Sequence, residues 1–201
     1  DVFAYDYLKT QGTQFENTKT SRNAKMLWQY NGGKVTLDKF EDFDNIMNDQ
    51  LRRGIIKQRI GKEQLIDWLG KCPIQRKVQG NNIKYALGHA IFDEELYNMD
   101  PNFNLEKALT MKLSERSNKN ILNKFENCMW YREDDAKTHY ADLSWPEDCV
   151  VLVGHTRQQN VNLRNINGDP SKAIVYLDCG KGELQGFSIT NNKHIQIEPE
   201  L

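Results

Sequence analysis

Apolar positions recur along this chain with two different periods, and each change of period marks an element. Residues 150–153, Val-Val-Leu-Val, form an unbroken apolar run that stops at Gly154, and the polarity reverses from His155 onward. A continuous run of mostly β-branched residues suits a strand covered on both faces. It predicts a strand with His155 at its carboxyl end, with Gly154 turning the backbone where a side chain would obstruct it. The stretch NIKYALGHAIF predicts a second such strand, with His89 in the corresponding place. Helical spacing governs Val35 to Ile60, where Phe40, Phe43, Ile46, Met47, Leu51, Ile55 and Ile56 recur. A helix is predicted over Glu63–Leu69, ending near Gly70, with Pro73 as a stop signal. Another starts at NLEKALTMKL and runs on toward Lys124.

The remaining segments are less regular. Residues 1–30 are polar with scattered aromatics, and Asn31-Gly32-Gly33 is turn chemistry. Residues 126–149 read as a connection carrying Arg132. Near the end, SKAIVYLDCG, ELQGFSIT and HIQIEPEL predict a meander of antiparallel strands on one sheet. Alternating strands and helices imply the α/β class. No repeat, low-complexity segment or linker divides residues 1–201, so a single domain is expected.

Composition narrows the function classes. The chain has 201 residues, with 27 Lys and Arg against 28 Asp and Glu, a formal net charge of -1. Such a balance does not support a nucleic-acid binder working through a basic face. No apolar stretch reaches the length of a membrane span. Cys72, Cys128, Cys149 and Cys179 are never paired as Cys-x-x-Cys, which argues for reduced core cysteines rather than a zinc knuckle. The opening lacks a basic segment followed by an apolar one, and no Asn-x-Ser/Thr sequon occurs, so a cytoplasmic location is expected.

The candidate chemistry lies in the two Gly-His strand ends. If the strands are parallel neighbours, both imidazoles reach one edge of the sheet, where open α/β sheets place their ligand sites. Neutral imidazole is the commonest side-chain metal ligand, and a pair of imidazoles with carboxylates suits zinc, manganese or iron. The alternative for each is a histidine satisfying a backbone group at a strand end. His139 and His194 have no comparable setting and read as surface or loop residues. Arg132, between Trp130 and the acids Glu133 and Asp134, reads by itself as a surface ion-pair partner.

The order WQYNGGKVTL, KYALGHAIF, MWYRED, VVLVGHT, IVYLDCG resembles the calcineurin-like metallophosphoesterases, particularly the bacterial and phage serine/threonine protein phosphatases. That resemblance implies an α/β fold built as a layered sandwich of mixed sheets flanked by helices, holding two divalent cations, manganese first with iron or zinc as alternatives, and acting on a phosphorylated protein. His89 and His155 match the family's two histidine ligands on one metal, and Arg132 matches its phosphate-holding arginine. Asp178 would lie at the base of the site, supporting it without ligating metal. The opening DVFAYDYL looks like the continuation of the family's Gly-Asn-His-Asp loop, which would make Asp1 the carboxylate that orients the catalytic histidine.

Departures from the pattern accompany the match. His89-Ala90 leads to Ile91 where the family has glycine, and Asp178-Cys179-Gly180 replaces Asp-Thr-Gly. The family's Gly-Asp-x-His-Gly and Gly-Asp-x-x-Asp-Arg-Gly motifs do not occur. Residues 1–201 are therefore expected to be the C-terminal part of such a domain, with catalysis requiring an upstream segment or a partner chain. Alternatives are a phosphohydrolase of dinucleoside polyphosphates or other small molecules, and a non-catalytic interaction module.

Overall fold

The computed structural model describes residues 2–28, 45, 48–54, 62–114, 118–132, 144–156, 158, 161–165, 172–178 and 184–197. Asp1, the Asn31-Gly32-Gly33 turn, His139 and most of the Val35–Ile60 stretch lie outside that set. Within the stretch, residues 48–52 are helical. The chain divides into two compact units, one formed by residues 1–72 and 104–117, the other by 73–103 and 118–201.

The first unit holds α1 (Val2–Thr10), α2 (Lys19–Trp28) and α3 (Lys62–Lys71), and also α5 (Leu105–Leu113), which follows α4 of the second unit in the chain. The helix expected over Glu63–Leu69 is present as α3. Two of these helices occupy the opening stretch for which no element was predicted. They form because Tyr7, Ala24 and Trp28 bury one another, with Phe3 and Leu8 packed against them. The Tyr7 and Trp28 rings lie 5.5 Å apart, within the range for aromatic pairs. Thr10 donates to Ser21 at 2.7 Å beneath this contact.

Among the described residues, the second unit holds α4 (Glu94–Met99), α6 (Lys119–Trp130) and seven strands: β1 (Gln75–Gln79), β2 (Lys84–Gly88), β3 (Cys149–Val153), β4 (Asn162–Asn165), β5 (Ala173–Tyr176), β6 (Leu184–Ser188) and β7 (Lys193–Ile197). Five of them form a mixed sheet in the order β1-β2-β3-β5-β4, and β6 and β7 form a separate two-stranded sheet. The central strands β2, β3 and β5 are parallel, with Gly88 opposite Val153 and Val153 opposite Tyr176. Both outer strands are antiparallel to their neighbours. The class is thus mixed α/β, a five-stranded mixed sheet with flanking helices.

Period-2 side-chain alternation divides the core. Tyr85, Leu152 and Val175 face one side, where Phe187 and Ile189 from β6 and the residue beyond it pack against them. Their neighbours Ala86, Val151, Val153, Ile174 and Tyr176 face the other side and are equally buried. Both faces are therefore covered, which is why the parallel strands read as continuous apolar runs.

Three expectations are corrected. The three predicted strands are not one antiparallel meander, because β5 pairs with β3 and β4 in the larger sheet while β6 and β7 pair with each other. The short apolar run of β5 carries no signal for which partner it takes. Residues 126–130 belong to α6, whose burial of Phe125, Cys128 and Met129 extends the helix through Trp130. Finally, β1, β4 and α4 were not foreseen. β1 is the polar run Gln-Arg-Lys-Val-Gln, and β4 is Asn-Leu-Arg-Asn. Edge strands with so few apolar positions show no period of their own.

Candidate functional site

The carboxyl ends of β2, β3 and β5 lie side by side, and each delivers a polar residue to the same edge. His89 follows Gly88 directly, His155 lies two residues past Val153, and Asp178 lies two past Tyr176. Main-chain bonds join the three loops. The Gly154 N–H donates to the His89 carbonyl at 2.8 Å, the Leu177 N–H to Val153 at 2.7 Å, and the Gln158 N–H to Asp178 at 2.7 Å. At the end of α6, the Cys128 carbonyl accepts the Ala90 N–H at 2.9 Å.

The glycines act differently from the sequence reading. A Cβ on Gly154 would meet only the His89 carbonyl oxygen, at an ordinary 3.7 Å, and its φ is not positive. The left-handed residue is His155 itself, at φ 59°. Its neighbours close a γ-turn around it, with the Thr156 N–H donating to the Gly154 carbonyl at 2.6 Å. A β-carbon in this region costs on the order of 1–3 kcal/mol, so the surrounding bonds must hold the turn. Gly88, in contrast, has no room for a side chain, because a Cβ there would collide with the Ile91 carbonyl.

This backbone brings the two imidazoles together. His89 Nε2 and His155 Nδ1 are 3.2 Å apart, and the ring centroids are 4.9 Å apart at 57°. Trp130 stands edge-on to His155, with centroids 5.8 Å apart at 78°. Trp130 is half-buried, with its indole against this histidine. Arg132, two residues further on, is exposed.

Electrostatics keep both rings uncharged near neutrality. His89 is pushed down to about 4, first by desolvation and then by the neighbouring His155, while Asp178 opposes the shift. His155 is lowered by desolvation and by the Arg132 cation, again opposed by Asp178. A neutral imidazole presents a lone pair. Two nitrogens bound to one cation at about 2.0–2.1 Å are about 3 Å apart when the angle between them is near 100°. The observed pair fits that spacing, and with no cation between them the same 3.2 Å is a hydrogen bond in which one ring donates its N–H to the other. Among the described residues, no three histidine, cysteine, aspartate and glutamate side chains are gathered to hold a metal, so the site supplies a pair.

Of the residues singled out in the sequence, His89 and His155 are in contact, and Arg132 and Asp178 lie near enough to bias their protonation. The γ-turn at His155 and the bond between Ala90 and α6 were not legible, since neither leaves a pattern in residue type. A scan of known protein families, a search of curated proteins and a search of solved structures returned no match.

Proposed function

We propose that this chain is a metal-dependent phosphoesterase acting on phosphoserine and phosphothreonine in proteins, and that His89 and His155 bind one of its two divalent cations. The observation that carries this reading is the 3.2 Å approach of two neutral imidazole nitrogens at the ends of adjacent parallel strands. The bound cations, manganese in the first instance, supply Lewis-acid activation of the attacking water and charge neutralisation of the phosphoryl group.

The chain's own residues do the rest. Strands β2 and β3 hold the ligating nitrogens on a rigid edge, and desolvation keeps protons from competing for their lone pairs. Arg132 offers a planar guanidinium that can bond two phosphate oxygens at once. Asp178 adds a negative charge that acts on both imidazoles without being needed as a ligand. A two-metal centre needs several more protein ligands, so the reading calls for donors outside the described residues.

The test measures Mn²⁺ bound per chain and turnover of a phosphothreonine peptide, with a dinucleoside tetraphosphate in parallel, on residues 1–201 and on the full natural polypeptide. Metal binding lost in His155→Ala and phosphopeptide turnover by the full polypeptide support the proposal. Turnover of the dinucleotide alone would move the assignment to a small-molecule phosphohydrolase. Failure of both proteins to bind Mn²⁺ would remove it.

A further inference from the structure

We propose that Trp130 is the positioning residue for His155, setting the imidazole plane so that Nδ1 faces Nε2 of His89. This inference deepens the reading of the site as a metal-binding pair. A γ-turn at φ 59° fixes where the His155 side chain departs from the backbone, but not how its ring is rotated. Two contacts decide the rotation. His89 lies on one side, 3.2 Å away through the facing nitrogens. The other is the Trp130 indole, 5.8 Å away at 78°, the edge-to-face arrangement that aromatic quadrupoles favour.

Trp130 can impose this orientation because its own place is determined independently of His155. It is the last residue of α6, and the next N–H, that of Tyr131, bonds back to the Asn127 carbonyl at 3.1 Å. Two residues earlier, the Cys128 carbonyl accepts the Ala90 N–H at 2.9 Å. Ala90 adjoins His89, and the His89 carbonyl accepts the Gly154 N–H at 2.8 Å, one residue before His155. Helix end, first histidine loop and second histidine loop thus form a closed circuit, with the indole–imidazole contact across it. In this proposal Trp130 acts through His155, the ring it contacts.

The experiment compares the parent with Trp130→Met, which keeps apolar bulk without a ring, and Trp130→Phe, which keeps an aromatic edge. Three quantities are read: Co²⁺ affinity by titration, histidine ring ¹H and ¹⁵N spectra of the metal-free protein, and the thermal midpoint. Trp130→Met should lose about 10–100-fold in Co²⁺ affinity, as removal of outer supports to metal ligands does. Its His155 ring signals should shift while the midpoint confirms a folded protein, and Trp130→Phe should stay within a few fold of the parent. Unaltered affinity and unaltered His155 signals in a folded Trp130→Met overturn the proposal. If the parent takes up no Co²⁺, the metal reading fails, and the metal-free spectra still judge Trp130. If Trp130→Met does not fold, cross-relaxation between indole and imidazole ring protons in the parent decides: its presence supports the contact and its absence overturns it.

Discussion

At the scale of single residues, His89 and Arg132 make opposite uses of the same site. The depressed His89 pKa means that the folded protein binds its proton more weakly than the unfolded chain does. Stability contributed by neutral His89 is complete above about 6.5, the ordinary histidine value, and is lost as the pH falls toward about 4. His89 is exposed to solvent, and screening reduces the full linkage effect to about 1–2 kcal/mol. Urea unfolding of the metal-free protein at pH 7 and pH 4.5 should show this loss, and His89→Gln should flatten it. Arg132, by contrast, lowers the His155 pKa in the empty site, and under the proposed function it would hold the phosphoryl group of a bound substrate. Arg132→Ala should lower kcat on a phosphopeptide by about 10²–10³, the effect of removing one preorganised donor, with metal content unchanged. Unchanged turnover would return Arg132 to the ordinary surface.

At the scale of elements, the carboxyl end of β2 and the start of α4 are the sensitive points. Gly88→Ala would drive its β-carbon into the Ile91 carbonyl, and both atoms belong to backbone that cannot rotate away. The loop must shift, so His89 should move off its partner; a loss of Mn²⁺ affinity together with about 1–3 kcal/mol of stability is expected. Asp93 begins α4, where one carboxylate oxygen accepts the Leu96 N–H at 2.8 Å. Its other oxygen lies 3.5 Å from the Lys124 ammonium, which also meets Glu95 at 2.8 Å. Burial acts to lower the Lys124 pKa, but bonding to Glu95 and the Asp93 charge outweigh it and raise the value. Asp93→Ala removes the cap, about 1 kcal/mol, and one partner of a buried cation, so a total of several kcal/mol is expected. Asp93→Asn keeps the cap and should be milder. Denaturant midpoints for the two variants compare the contributions directly.

At the scale of the molecule, the site rests on the best-covered part of the second unit. β3 lies in the middle of the sheet, paired on both sides, with Val151, Leu152 and Val153 buried. Its amides should exchange most slowly with solvent, whereas those of β4, an edge strand with Leu163 64% exposed, should exchange early. Hydrogen exchange followed by mass spectrometry would test this ranking, and early exchange in β3 would contradict the rigid support proposed for His155. No helix among the described residues is long and apolar enough to cross a membrane.

The sequence by itself determined the two buried strands that end on Gly-His, because a strand covered on both faces must be apolar at every position. It also determined α3, through apolar spacing closed by Gly70 and Pro73, and the hairpin of β6 and β7. From the two Gly-His endings alone, His89, His155 and their shared edge could be foreseen. Pairing was decided only by the tertiary structure. Whether β5 joins β3 or β6 depends on which surface it buries, and an apolar run of four residues fits either. The edge strands β1 and β4 form by pairing with β2 and β5, and helices α1 and α2 by burying residues against each other, rather than through patterns of their own. The left-handed conformation fell on His155 instead of the glycine before it, because hydrogen bonds from three separate loops set that backbone. Such bonds use the N–H and C=O that nearly every residue carries, and residue type does not encode where they go.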